Sequence, residues 1–149
     1  DEPTTALDVT VQAQILLLLN DLQRELGMAL IMISHDFGVV AATCDRVNVM
    51  YGGRIVEHAY TEELFRSANH PYTEGLLKLV PSLEQRRGEQ LVPISGQPPD
   101  VFDMPPGCSF APRCPQVVGI CNEKKPELTV LGPSHGSACW MAEQRRLPR

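Results

Sequence analysis

Apolar residues recur at helical spacing through Val11, Ile15, Leu18, Leu19, Leu22 and Leu26. Asp8 precedes this stripe as a suitable helix cap, and Gly27 follows it where a terminating glycine belongs. The pattern then turns from periodic to continuous. Residues 28–33 are apolar without a break, the length and character of a strand covered on both faces of a parallel sheet. With Asp1-Glu2 at the end of one strand and Ser34-His35 at the end of the next, the whole composes a βαβ crossover. Ligands of such sheets bind beyond the carboxyl ends of the strands, so Asp1, Glu2 and His35 are expected on one rim.

Further along, residues 36–44 read as a short helix with Asp36 near its start. Two strand-like stretches, 46–51 and 54–57, flank Gly52-Gly53, a hairpin signal. Thr61-Glu62-Glu63-Leu64-Phe65 opens another helix with acidic residues in its first turn. Pro71 is a favoured first helical position, and the next helix is expected to run to about Val80, before Pro81. The character then changes. Residues 84–90 are polar and charged, prolines crowd positions 93–115, and regular structure is expected at most as a short strand over residues 91–94. Such a segment buries little apolar surface, so something else must hold it together. No internal repeat is present.

Composition narrows the classes. The 149 residues suit one domain, or a truncated domain with an appendage, and the net charge of −5 argues against nucleic acid as the main partner. The wholly apolar runs, residues 15–19 and 28–33, are far too short to span a bilayer, so any membrane role is expected to be peripheral. No secretory signal is visible. Five cysteines then read as metal ligands or buried thiols before disulfides.

Four of them, Cys108, Cys114, Cys121 and Cys139, form a C-x₅-C-x₆-C-x₁₇-C series among prolines and Gly107. Four thiolates from one loop-rich segment can saturate a tetrahedral Zn²⁺ or a 4Fe–4S cluster. Zinc ribbons use two tight cysteine pairs, which are lacking here, so the wide spacing leans toward a cluster. Two disulfides or four independent thiols are the plainer alternatives. His135 could replace one cysteine as a ligand, although an exposed histidine is the plainer expectation. Cys44, beside Val39, Val40, Ala41 and Ala42, reads as a buried core thiol. Arg86-Arg87 and Arg145-Arg146 read as solvated charge, and the scattered aromatic residues offer no stacking platform for single strands.

The string Asp1-Glu2-Pro3-Thr4-Thr5-Ala6-Leu7-Asp8 resembles the end of a Walker B strand running into the D-loop of an ABC-type ATPase, with Thr5 where that pattern usually has serine. Gly53-Arg54-Ile55-Val56-Glu57, then His70-Pro71-Tyr72-Thr73-Glu74-Gly75-Leu76-Leu77, and the Pro106-Gly107-Cys108-Ser109-Phe110-Ala111-Pro112-Arg113-Cys114-Pro115 segment extend the likeness. Over essentially the whole chain it is similar to the C-terminal half of the ATP-binding subunit of oligopeptide/dipeptide ABC importers, a family that also includes nickel importers.

The resemblance implies an α/β fold: a P-loop NTPase-type parallel sheet with flanking helices, truncated on its N-terminal side, plus an irregular cysteine-rich metal-binding extension. Residues 1–60 would be the end of the nucleotide-binding domain and residues 61–149 the extension. Asp1 would hold Mg²⁺, Glu2 would polarise the attacking water, and His35 would be the switch histidine at the γ-phosphate of ATP. Asp8 would be the D-loop aspartate at the interface between two ATPase subunits. Members with this cysteine pattern are thought to carry a 4Fe–4S cluster, here on Cys108, Cys114, Cys121 and Cys139, with Zn²⁺ as the alternative. The implied partners are a second ATPase subunit, two membrane permeases and, indirectly, an extracytoplasmic solute-binding protein, with the chain peripheral on the cytoplasmic face.

No G-x-x-x-x-G-K-[ST] motif, Q-loop or signature motif occurs, so the chain alone is expected not to turn ATP over, being a fragment or a decayed copy. Two rivals stand beside peptide import. One is a metal- or redox-sensing interaction module built on the cysteine segment. The other is a non-transport ABC ATPase such as those serving DNA repair, which has no account of His70-Pro71-Tyr72-Thr73.

Overall fold

Two units, Asp1–Asp45 and Arg46–Arg149, make up the computed structural model, which describes residues 1–3, 7–80, 93–100 and 102–145. In the first unit α1 spans Val9–Leu26. Asp8 Oδ1 accepts from the N–H groups of Thr10 and Val11, both at 3.0 Å, satisfying two donors that a helix start leaves open. Gly27 closes α1 at φ 61°, a left-handed conformation that glycine adopts at little cost. The second helix, α2, spans Phe37–Thr43 and is capped by Asp36, whose Oδ1 accepts from Gly38 and Val39.

The expected parallel sheet is not what the described residues form. Residues 28–33 form no strand ladder among the described residues, and the bond from Glu2 N–H to Ile33 C=O at 2.8 Å ties them to the chain start. Ile31 stays 89% exposed and Leu17 on α1 64%. A parallel strand needs neighbours along its edges to satisfy its N–H and C=O groups. Among the described residues of this unit none pairs along 28–33, so the apolar run is present but uncovered. Cys44, expected in a core, is half-buried; burial and then Asp45 push its thiol up.

The sheet that does form is antiparallel and lies in the second unit. Strands β1 (Arg46–Tyr51) and β2 (Arg54–Tyr60) make the expected hairpin. Gly52 and Gly53 turn it at φ 54° and 75°, the doubly positive pair that matches strand twist. Helices α3 (Thr61–Ser67) and α4 (Pro71–Leu77) follow, α4 stopping short of Val80 in a turn. His70 caps α4, its Nδ1 accepting from Tyr72 N–H at 3.1 Å, and Pro71 occupies the first turn where its missing N–H costs nothing. The strand expected over 91–94 is absent at residues 93–94, and residues 91–92 lie outside the described ones, as do Arg86, Arg87 and Arg146.

The C-terminal segment holds more regular structure than its prolines suggest. A 3₁₀ turn covers Ala111–Arg113, α5 spans Gly119–Glu123, β3 and β4 are Thr129–Val130 and Gly136–Ser137, and α6 is Ala142–Arg145. The sheet order is β1-β2-β4-β3, with β4 antiparallel to both neighbours. Val49, Tyr51, Val56, Ala59, Leu64 and Phe110 form the core. Phe110 is its centre: the rings of Tyr51 and Tyr72 lie 5.2 and 5.4 Å away, and Tyr51 meets it edge-on. Arg113 staples the incoming loop, donating to Ser95 C=O, Ile94 C=O and Tyr51 Oη. The proline-rich stretch is therefore folded onto the hairpin by one aromatic anchor and one guanidinium.

Candidate functional site

Each unit carries a cluster of chemistry-bearing side chains. In the first, the Glu2–Ile33 backbone bond brings the chain start beside the end of the extended run, and Glu2 Oε1 meets His35 Nδ1 at 3.0 Å. Both side chains are largely exposed. Glu2 sits at φ 43°, the left-handed region that a non-glycine residue occupies at a cost. Asp1 is exposed beside it, while Asp8 serves as the cap of α1. Thr4, Thr5 and Ala6, between Glu2 and Asp8, lie outside the described residues.

Directly after His35, Asp36 is held firmly. Its N–H donates to Ser34 Oγ at 3.0 Å and Oδ2 accepts from Gln12 Nε2 on α1 at 3.3 Å. Burial raises its carboxyl, but donation from Val39, Gln12 and Gly38 and the charge of His35 outweigh that, leaving it below the usual value of 3.8. The helix-start aspartate thus fixes the backbone that presents His35.

In the second unit the four cysteines of the C-x₅-C-x₆-C-x₁₇-C series line one small pocket, of about 20 Å³, together with His70 and Phe110. All four are free thiols in the structure. Their placement is built from backbone. Cys108 N–H donates to Cys121 C=O at 2.7 Å, Ala111 N–H to Cys108 C=O, and Cys114 N–H to Ala111 C=O. Gly107 makes the first of these contacts possible: a Cβ there would stand 2.1 Å from Cys121 C=O. Cys139 arrives from the end of β4. Burial pushes the thiols of Cys108, Cys114 and Cys139 up, Cys139 to about 11, and Cys121 adds to the effect on each. Among the described residues no three His, Cys, Asp or Glu side chains are disposed as the cage of a single metal ion.

His135 is not the exposed histidine expected, nor does it line the thiol pocket. It is buried, with Nε2 2.8 Å from Glu57 Oε1 and Nδ1 3.2 Å from Glu63 Oε1. Glu57 and His70, both buried, appear in the sequence only within motif strings, and no periodicity signals that they converge.

Among the described residues, no helix is long and apolar enough to cross a membrane. Residues 56–121 match the family described as the C-terminal region of the oligopeptide/dipeptide transporter. The chain is 50% identical over 145 residues to the dipeptide transport ATP-binding protein DppD of Bacillus subtilis, covering 97% of this chain and 43% of that protein. It is 51% identical over 140 residues to the oligopeptide transport ATP-binding protein OppD of Salmonella typhimurium, covering 94% of this chain and 41% of that protein. A probable peptide ABC transporter ATP-binding protein of Sinorhizobium fredii is 51% identical over 144 residues, with 97% and 43% covered. The chain thus spans less than half the length of these relatives. Matched along nearly all of its residues, the chain is similar to the C-terminal half of the ATP-binding subunits of oligopeptide/dipeptide ABC transporters.

Proposed function

We propose that this chain is part of an ATP-hydrolysing subunit that energises peptide uptake by an ABC importer. The observation that carries the reading is the Glu2–His35 contact at 3.0 Å, two groups suited to one phosphoryl-transfer site. Asp1 would hold Mg²⁺, which supplies charge neutralisation at the phosphates. Glu2 accepts a proton from, and orients, the attacking water, and His35 donates to the terminal phosphate. The exposure of Glu2 and His35 leaves room for substrate above them. The glycine-rich phosphate cradle is not among the 149 residues, so turnover calls on a segment outside them. Asp8 faces a second ATPase subunit in this reading. The complex acts with two permeases and a solute-binding protein, from the cytoplasmic face of the membrane. The names of the similar proteins support peptides as the solute.

For the thiol pocket we infer a resident 4Fe–4S cluster held by Cys108, Cys114, Cys121 and Cys139. Four cysteines free of disulfides on one mostly apolar pocket fit such a group. Zn²⁺ on the same four thiolates is the alternative, and metal content distinguishes the two. When bound, the cluster supplies a crosslink among loops that carry little core, and a redox-sensitive one. Phe110 and the other apolar walls cover part of each thiol.

The test of transport function is Glu2→Gln in the full-length subunit assembled with its membrane partners. ATP hydrolysis is expected to fall by about 10²-fold or more, with ATP binding retained. Undiminished hydrolysis would refute the assignment. Anaerobic iron and acid-labile sulfide assays on the same preparation test the cluster separately; a chain holding neither loses that part of the reading.

A further inference from the structure

Glu57 and His135 take no part in nucleotide chemistry, yet they are among the most deeply buried polar residues described. Both carboxylate oxygens of Glu57 are engaged. Oε1 accepts from Asn69 N–H at 2.6 Å and meets His135 Nε2 at 2.8 Å, while Oε2 accepts from His70 N–H at 3.0 Å. On its other side His135 Nδ1 meets Glu63 of α3. A carboxylate oxygen accepts, so whichever ring nitrogen carries hydrogen donates to the glutamate that it faces.

These bonds reach two walls of the thiol pocket. Through the N–H of His70, Glu57 fixes the start of α4, whose His70 and Pro71 line the pocket. Through His135 it fixes the residue directly before β4, and β4 leads straight to Cys139. That strand is two residues long, pairing as Glu57↔Ser137 and His58↔Gly136 on its β2 side, with one further bond beyond it from Ala138 N–H to Val56 C=O. So short a ladder holds register weakly by itself. Cys108, Cys114 and Cys121 have a separate local scaffold in the Cys108–Cys121 bond and the 3₁₀ turn. Cys139 does not share it.

We propose that Glu57, His135 and Glu63 form a positioning clasp that holds Cys139 in the four-thiol site, so that without it the site keeps three thiols. What the site holds rests on the cluster reading above; the placement of Cys139 does not. The test is pulse alkylation of the reduced, metal-free full chain, with the modified cysteines counted by mass spectrometry. In His135→Leu, Cys139 is expected to label roughly ten- to a hundred-fold faster, the effect of losing charge-assisted bonds on local opening. Cys121 is expected to keep its rate. Glu63→Gln removes only the less buried partner and is expected to raise Cys139 labelling by less, which keeps the test alive if His135→Leu fails to fold. A parallel rise at Cys121 would make His135 a general core residue and overturn the proposal, as would unchanged Cys139 labelling in Glu63→Gln and in any folded His135→Leu. Labelling needs no iron, so failed cluster reconstitution of the unsubstituted chain would sink the cluster reading alone.

Discussion

Glu57 and His135 stand 78 residues apart in sequence and meet at 2.8 Å, both shielded from water. Around that contact the hairpin, the start of α4 and the last strand are pinned to one carboxylate. Buried polar contacts of this kind cost desolvation to form, but removing one member leaves the other buried without its partner.

Glu57→Ala is therefore expected to destabilise the second unit by about 3–5 kcal/mol. The two N–H groups of Asn69 and His70 lose their acceptor at the same stroke. Urea unfolding followed by far-ultraviolet circular dichroism measures this. A loss below about 1 kcal/mol, the size of one ordinary hydrogen bond, would mean that water replaces the carboxylate.

Gly107→Ala is expected to separate Cys108 from Cys121, because the new methyl collides with backbone rather than with a yielding side chain. Overpacking of this kind costs about 1–3 kcal/mol. The variant should also retain less iron after reconstitution than the unsubstituted chain. Equal iron content and equal thermal stability would show that the loop moves aside freely.

Asp36 gives a pH dependence with a definite sign. Its folded carboxyl lies below the ordinary value of 3.8, near which it titrates in the unfolded chain. Its contribution is thus complete above that value and is lost as pH falls through the lower folded one. Amide exchange at Gly38 and Val39 should quicken through that acid window relative to the intrinsic rate. Asp36→Asn keeps a capping oxygen but does not titrate, so in that variant the acid dependence at these two amides should vanish. Persistence of the dependence would assign it to another group.

Asp8→Ala removes the acceptor of Thr10 and Val11 and should weaken α1 by about 1 kcal/mol. Exchange at those two amides reads the loss directly. Unchanged protection there would show that the Asp8 side chain is not the cap in solution.

The elements that were legible in the sequence are those with a local signal at each end. Asp8 and Gly27 bound α1, Gly52-Gly53 turns the hairpin, and Pro71 opens α4. Residues 28–33 carry the pattern of a parallel strand, but a strand exists only through neighbours, and one bond from Glu2 is not a ladder. β3 and β4 escaped because two-residue strands have no periodicity to read. The burial of His135 was illegible for a related reason. Its partners lie 72 and 78 residues away, and nothing in the string around Ser134-His135-Gly136 announces them. Glu2 and His35 do meet, through the backbone bond between Glu2 and Ile33 rather than through the paired parallel strands that the crossover rule assumes.

The strand order β1-β2-β4-β3 also sets a schedule for synthesis. β4, the last strand made, is the one that covers the open edge of β2, pairing Ser137 with Glu57. A ribosome adding roughly 5–20 residues per second leaves that edge waiting for several seconds after β2 emerges. Throughout that interval a nascent hairpin presents unpaired N–H and C=O groups to neighbouring chains on the same message. A premature stop anywhere before His135 would make that exposure permanent, turning a transient edge into a site for chaperone capture or aggregation.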